Sequence, residues 1–373
     1  MGCDCFKKSK PISLQDLNAT SERTNSGFTT SLLPPQLKVT KKDFEELKLL
    51  GKGSYGKVLL VRKKDNQKLF AMKVLEKSLV KNEGQEEHTI VERFLLEKID
   101  HPFIVNLQFS FQTKERLYLI TEFMQGGDYF YLLRRNVKFS EDMMKFYICE
   151  IILALEYLHS HNCIYRDLKP ENILLDKDGH IKITDLGLSK YFYRKEEANK
   201  IAYTICGTKD YLAPEVQNPG KEGYDRSIDW WSLGVLIYES LTGYSPFKTD
   251  NNNFYNFENY LADLKIDDFF YWSKEVRDLI KSLLQINPKN RLGYNGSKEV
   301  KEHPFFADVN WEDVINRRLD PPYKPYLSNE MDLSHFERTF TEQNIDFIKS
   351  ESYKDEENKY EGFTYVKPSS LKN

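Results

Sequence analysis

No run of eighteen apolar residues occurs in the 373-residue chain, so the sequence offers no membrane-spanning helix. The N-terminus also lacks an apolar signal region, and the expected compartment is intracellular and reducing. Cysteine is scarce: five residues, at 3, 5, 149, 163 and 206, are odd in number and scattered, which fits free thiols better than a disulfide framework. Neither sign of charge dominates. Lys plus Arg number 54 against 57 Asp plus Glu, and the net charge of −3 gives no reason to expect a nucleic acid partner. No internal repeat is found. What is present is a 40% hydrophobic composition over a length that suffices for one large two-lobed domain with tails, or for two small domains.

Residues 1–43 are rich in Ser, Thr, Asn, Lys and Pro with little apolar periodicity, and read as a disordered arm. From Phe44 onward the pattern predicts strands at Phe44–Leu50, Lys57–Val61 and Leu69–Leu75, then a charged amphipathic helix from Glu86 to Lys98. Further strands fit Ile104–Phe111 and Leu117–Phe123. After Gly126-Gly127 the character turns helical. Ser140 is a plausible cap, and Ile148, Ile151, Ile152, Leu155 and Leu158 share one helical face. Residues 229–242 are apolar on almost every side, predicting a buried helix stopped at Gly243. Beyond Phe306 the chain is punctuated by proline, then polar with an acidic run at Asp355-Glu356-Glu357, and ends in an aromatic cluster.

Four segments carry chemistry. Gly51-Lys52-Gly53-Ser54-Tyr55-Gly56 lies between two predicted strands, where residues without Cβ let backbone amides approach a triphosphate. A strand rather than a helix follows it, which disfavours a dinucleotide-binding reading. Lys73, in Phe70-Ala71-Met72-Lys73-Val74-Leu75, needs an anion if it is partly desolvated; Glu92, nineteen residues on, is the candidate partner on the predicted helix. Tyr165-Arg166-Asp167-Leu168-Lys169-Pro170-Glu171-Asn172, followed by Asp185-Leu186-Gly187, supplies a base and two ion-holding side chains. Asp167 would take a hydroxyl proton, Lys169 would balance transferred charge, and Asn172 and Asp185 would hold Mg2+ through oxygen ligands. Ala213-Pro214-Glu215 closes the segment that opens at Asp185, with Arg291 as the expected partner of Glu215.

Taken together, residues 44–306 resemble a eukaryotic Ser/Thr protein kinase domain of the AGC group. The resemblance implies an α+β bilobal fold, with a small β-rich lobe at 44–124, a larger α-helical lobe at 125–306 and a regulatory tail at 307–373. It implies an ATP- and Mg2+-dependent phosphotransferase whose nucleotide site uses Gly51, Gly53, Gly56, Val58, Ala71, Lys73, Thr121, Glu122, Met124, Asp128 and Glu171. Thr204, in Thr204-Ile205-Cys206-Gly207-Thr208, matches the activation-loop phosphosite acted on by an upstream kinase of the phosphoinositide-dependent type. Arg166, Lys190 and His88 are the expected clamp for its phosphate. The tail, with Pro322-Tyr323-Lys324-Pro325, Phe336 and Phe340-Thr341, leads to Tyr360-Glu361-Gly362-Phe363-Thr364-Tyr365. This last stretch resembles the hydrophobic motif of ribosomal-protein kinases and mitogen- and stress-activated kinases, with Thr364 as a second phosphosite. Ser350 and Ser352 are turn-motif candidates. Asp128, Glu171 and Glu239 match positions that receive substrate arginines, so protein substrates with basic residues before the phosphoacceptor are expected.

Three positions depart from the family pattern. Leu186 stands where Phe is usual and is expected to pack with Leu96, Leu107 and Tyr165; Tyr165 stands for the commoner His; Lys209-Asp210 replaces the more frequent pairs. A nucleotide-binding scaffold without transfer activity is the alternative reading, supported by Leu186 alone. At the N-terminus, Gly2 is a myristoylation candidate and Cys3 and Cys5 are palmitoylation candidates beside Lys7 and Lys8, although Phe6 stands where that pattern has Ser or Thr. The expected protein is a cytoplasmic monomer, with peripheral membrane association if these sites are acylated.

Overall fold

The computed structural model describes residues 13–15, 17, 39–53, 56–192, 200–247, 257, 261, 264, 266–343 and 360–371. The acylation candidates Gly2, Cys3 and Cys5, the loop tip Ser54-Tyr55 and the turn-motif candidates Ser350 and Ser352 lie outside them.

The small lobe is built on β1 (Phe44–Lys52), β2 (Gly56–Lys63), β3 (Leu69–Glu76), β4 (Leu107–Gln112) and β5 (Arg116–Glu122), with β10 (Tyr365–Val366) from the far end of the chain. Among the described residues they form one sheet in the order β1-β2-β3-β5-β4-β10, each neighbouring pair antiparallel. One face of the sheet buries Phe44, Phe70, Phe109, Phe111 and Val366. The other lies over α1 (Lys77–Asn82) and α2 (Glu86–Lys98), where Leu75, Leu117 and Leu119 join a cluster that runs on into the large lobe. The strand expected at Ile104–Phe111 begins only at Leu107, because residues 103–105 are drawn to the other lobe: Ile183 N donates to Phe103 O and Val105 N to Ile183 O, both at 2.9 Å.

In the large lobe, α3 (Tyr129–Asn136) is capped by Asp128, and α4 (Glu141–Ser160) by the Ser140 hydroxyl, which accepts from Met143 N. Short ladders β6 (Cys163–Ile164) with β9 (Lys190–Tyr191), and β7 (Ile173–Leu175) with β8 (Ile181–Ile183), present the loops between them to the cleft. Helix α5 (Ser227–Thr242) is buried along nearly its whole length, as its all-round apolar pattern predicts, and ends at Gly243 in the left-handed conformation with φ 86°. Against it packs α6 (Lys274–Leu283), whose buried Val276, Leu279, Ile280 and Leu283 recur at helical spacing.

Two segments outside the lobes pack back onto them. The chain after Phe306 returns past the hinge, where Phe336 stacks on Phe123 with centroids 5.7 Å apart and Gln125 Nε2 donates to Asn329 O at 2.6 Å. The polar N-terminal arm is not wholly an arm: Leu14 and Leu17 are fully buried, and Val39 is buried too. Composition over a forty-residue stretch missed them because two leucines hardly alter its average.

Candidate active site

Lys73 projects from the middle of β3, and Glu92 from the buried face of α2. Lys73 Nζ lies 2.7 Å from Glu92 Oε1 and 3.1 Å from Asp185 Oδ1. Burial opposes the charge on Lys73, but the two carboxylates outweigh it and push its pKa up. The Lys73 ammonium holds the Asp185 carboxyl below the usual range, whereas Glu92, shut between sheet and helix, is raised by burial. Asp185 sits deep between the lobes, yet 48% of its side-chain surface remains open to the cleft, in the place where phosphates would lie. Its backbone is left-handed (φ 55°, ψ 75°), a strained setting for a residue with a side chain, and this aims the carboxylate into the cleft. Gly187 keeps the neighbourhood clear: a Cβ there would come within 3.3 Å of Asp185 Oδ1 and 3.5 Å of Glu92 Oε2.

The loop after β6 supplies the second half. Asp167 Oδ2 accepts from Asn172 Nδ2 at 2.7 Å and lies 2.9 Å from Lys169 Nζ. Its other oxygen accepts from the Thr208 hydroxyl at 2.9 Å, and Lys169 Nζ also reaches that hydroxyl at 2.8 Å. With its amide nitrogen committed to Asp167, Asn172 presents its amide oxygen to a cation. An amide oxygen and a carboxylate are the hard donors that magnesium takes alongside phosphate oxygens and water, so the residues present fit a magnesium nucleotide.

Lys73, Glu92, Asn172 and Asp185 meet at a cavity of about 310 Å³ between the lobes. Its walls include Gly51, Val58, Ala71, Lys73, Glu92, Thr121, Glu122, Met124, Asp128, Glu171, Asn172 and Asp185. Gly53, Gly56, Asp167 and Lys169 do not line it. Gly56 has a packing reason to lack a side chain, because a Cβ would come within 2.3 Å of Val74 O on β3. Phe336 of the tail also lines the cavity, a contact that no local signal in the sequence announces. Larger hollows exist on the large lobe, one of about 390 Å³ beside Glu150 and His180, but they lack the Lys73, Glu92 and Asp185 cluster.

Two further residues position the catalytic loop. Asp229 is the one carboxylate in the first turn of buried α5. It accepts from Tyr165 N at 2.9 Å and Arg166 N at 2.8 Å, and its Oδ2 lies 2.7 Å from His159 Nε2. A buried acid in a largely apolar helix is the signal that reveals such a role. Thr208, quoted above only as part of a loop motif, sits directly on the Asp167 carboxylate. Leu186 is fully buried in the same apolar cluster as Leu96, Leu107 and Tyr165. Arg291 grips Glu215 with both terminal nitrogens, at 2.6 and 2.9 Å.

The acids expected to receive arginines fall in two groups. Asp128 accepts from Tyr131 N at 2.7 Å, and its pKa is pushed up to about 6 by burial, helped by Glu171 and by Glu337 of the tail. Glu239 takes the Tyr211 hydroxyl, and Glu171 and Asp210 act on the same phenol. At the activation segment Thr204 is exposed, and its carbonyl accepts from Tyr224 OH at 2.5 Å, which in turn accepts from Arg166 Nη1 at 3.0 Å. The pKa of His88 is lowered by burial and then by the charges of Arg166 and Lys190, against the opposing Glu87. At the tail, Phe363 is buried with its carbonyl bound by Ser110 Oγ (2.6 Å) and Arg93 Nε (3.0 Å), while Thr364 is exposed. Arg93 follows Glu92 in sequence, so the tail holds the helix that delivers Glu92.

A two-lobed fold with this cleft defines a phosphotransferase of the protein kinase class, and sequence comparison agrees. The protein kinase domain profile matches residues 44–306, and the chain belongs to that family. It is 44% identical over 338 residues to Protein kinase 2 of Dictyostelium discoideum, covering 89% of this chain and 69% of that protein. It is 45% identical over 344 residues to serine/threonine-protein kinase sck2 of Schizosaccharomyces pombe, covering 88% and 52%. Against serine/threonine-protein kinase YPK1 of Saccharomyces cerevisiae the identity is 43% over 326 residues, covering 87% and 47%. These are AGC-group kinases. The chain thus spans about half the length of these two yeast relatives.

Proposed function

We propose that this chain is an ATP-dependent serine/threonine protein kinase of the AGC group, which transfers the γ-phosphate of ATP to Ser or Thr in arginine-containing sequences. The observation that carries the reading is the convergence of Lys73, Glu92 and Asp185 on one side of the cleft with Asp167, Lys169 and Asn172 on the other. Lys73, fixed by Glu92, orients the α and β phosphates. Asn172 and Asp185 would hold Mg2+, which would neutralise phosphate charge when bound. Asp167 receives the substrate hydroxyl in a hydrogen bond, aims it in line with the γ-phosphate and accepts its proton. Lys169 stands within reach of the same hydroxyl position and balances the charge on the phosphate as it moves. Thr208, now bridging Lys169 and Asp167, marks where a substrate hydroxyl would compete.

Further readings extend this one. Asp128 and Glu171, with Glu337 and Glu239, form acidic ground suited to arginines two or three residues before the phosphoacceptor. Phosphate added to Thr204 by an upstream phosphoinositide-dependent-type kinase would be met by Arg166, Lys190 and His88. Phosphate on Thr364 would strengthen tail docking near Arg93. The protein acts as a cytoplasmic monomer, drawn to membranes if Gly2, Cys3 or Cys5 is acylated, which the intact mass of protein isolated from cells tests directly.

The deciding experiment offers a degenerate peptide library and labelled ATP to the wild type and to Asp167→Asn. Transfer by the wild type with arginine selected before the phosphoacceptor, and a loss of about 10²-fold or more in the variant, is expected. Binding of nucleotide without any transfer overturns the reading in favour of a scaffold, and equal transfer rates in the two proteins overturn the role of Asp167.

A further inference from the structure

Ser13 O accepts Leu17 N at 3.2 Å, closing one helical turn within the polar arm. Leucines three apart share a helical face, and here that face is buried, with Leu14 1% and Leu17 0% exposed, while Gln15 faces solvent. The two leucines belong to the large apolar cluster that spans both lobes and also takes in Val80 of α1, Ile90 of α2, and Tyr360 and Phe363 of the tail. Leu14 lies beside the tail, since a Cβ placed on Gly362 would be 4.0 Å from Leu14 Cβ.

The tail itself is fastened from the lobe side. Gln112 Nε2 donates to Tyr360 O at 2.7 Å, Ser110 Oγ and Arg93 Nε bind Phe363 O, and Tyr365–Val366 pairs with β4. Ahead of this two-residue edge strand, Tyr360 and Phe363 are both 0% exposed.

We propose that α1, α2 and the docked tail form a binding site for the chain's own Leu14–Leu17 turn, and that filling this site locks the tail's aromatic motif onto the small lobe. The site is an apolar slot for two branched aliphatic side chains one turn apart. Its occupant reaches the catalytic cleft through a short chain of neighbours: Leu14 beside Gly362, Phe363 O on Arg93, and Arg93 beside Glu92 on α2. The N-terminal arm is therefore a second internal ligand of the lobe, cooperating with the C-terminal one.

Hydrogen exchange on the full chain tests this without any reading of activity. The amides to follow are Phe363, bonded to Tyr360 O, and Lys367, bonded to Gln108 O, with α5 as the internal reference. In Leu14→Asp/Leu17→Asp, exchange over residues 360–367 is expected to accelerate tenfold or more while α5 is unchanged. Gln15→Asp, on the exposed side, is expected to match the wild type. A synthetic peptide spanning residues 11–19, added to the double variant, is expected to restore protection, and the same peptide with both leucines replaced by aspartate is not. Should the double variant fail to fold, Leu17→Ala takes its place with the same readings. Tail exchange within twofold of wild type, an equal effect from Gln15→Asp, or no rescue by the wild-type peptide overturns the proposal.

Discussion

Replacing Arg291 by methionine should destabilise the large lobe by about 4 kcal/mol, and the magnitude follows from what its guanidinium touches. The side chain is 0% exposed, and besides gripping Glu215 it donates to Ser227 O at 3.1 Å and to Gln285 O at 3.1 and 2.9 Å, while lying over the Trp231 ring at 5.2 Å. Methionine fills much of the volume but supplies no donor. Two carbonyls then lose their partners, and Glu215, 13% exposed, keeps a negative charge with nothing opposite it. Removing one member of a buried pair typically costs about 3–5 kcal/mol, most of it from the stranded charge. At roughly 2–3 °C per kcal/mol for a domain of this size, calorimetry should show a midpoint lower by about 8–12 °C. Converting Glu215 to glutamine as well removes the stranded charge, so the double variant should recover on the order of 2 kcal/mol relative to the sum of the single changes. A loss below about 1 kcal/mol for Arg291→Met, or strict additivity in the cycle, would refute the reasoning, because either outcome means that water reaches the pair.

Three other consequences can be checked. Because Asp128 titrates near 6 in the folded protein, above its ordinary value, it becomes uncharged as pH falls through 6. The KM for an arginine peptide should therefore rise between pH 7.5 and 5.5 in the wild type but not in Asp128→Asn, and parallel profiles would exclude the role. Asp229→Asn keeps the shape but weakens the grip on the Tyr165 and Arg166 amides, so kcat should drop by about 10²-fold with the KM for ATP little changed; an unaltered kcat would show that the loop holds itself. Phosphate on Thr204 should reverse the depression of His88 and raise its pKa, which an NMR titration of the imidazole reads directly, and no movement would place the phosphate elsewhere.

The chemistry was legible in the sequence because its spacing is short. Asp167, Lys169 and Asn172 lie within one loop, and Lys73 and Glu92 stand on a strand and a helix whose periodicities are plain. Their meeting with Asp185 is what the structure adds. Residues that act across long separations left weaker traces. Asp229 was absorbed into an apolar helix pattern, although a buried carboxylate always demands donors. Phe336 comes to the nucleotide cavity on an irregular stretch of tail just ahead of the single turn Arg338–Thr341, so no periodicity points inward. Ile104 has the composition of a strand residue and still leaves the small sheet, because β8 of the other lobe offers it a bridge. Leu14 and Leu17 make a single turn, shorter than any window in which a helical moment stands out.

The sixth strand of the small lobe has a consequence for how the protein is made. Val366 pairs with Phe109, some 250 residues apart along the chain. At about 5–20 residues per second of synthesis, the edge of β4 stays unpaired for roughly 10–50 s after it leaves the ribosome. Throughout that interval nascent chains carry an open β-edge, and a chaperone that shields it must let go when Tyr365–Val366 arrives.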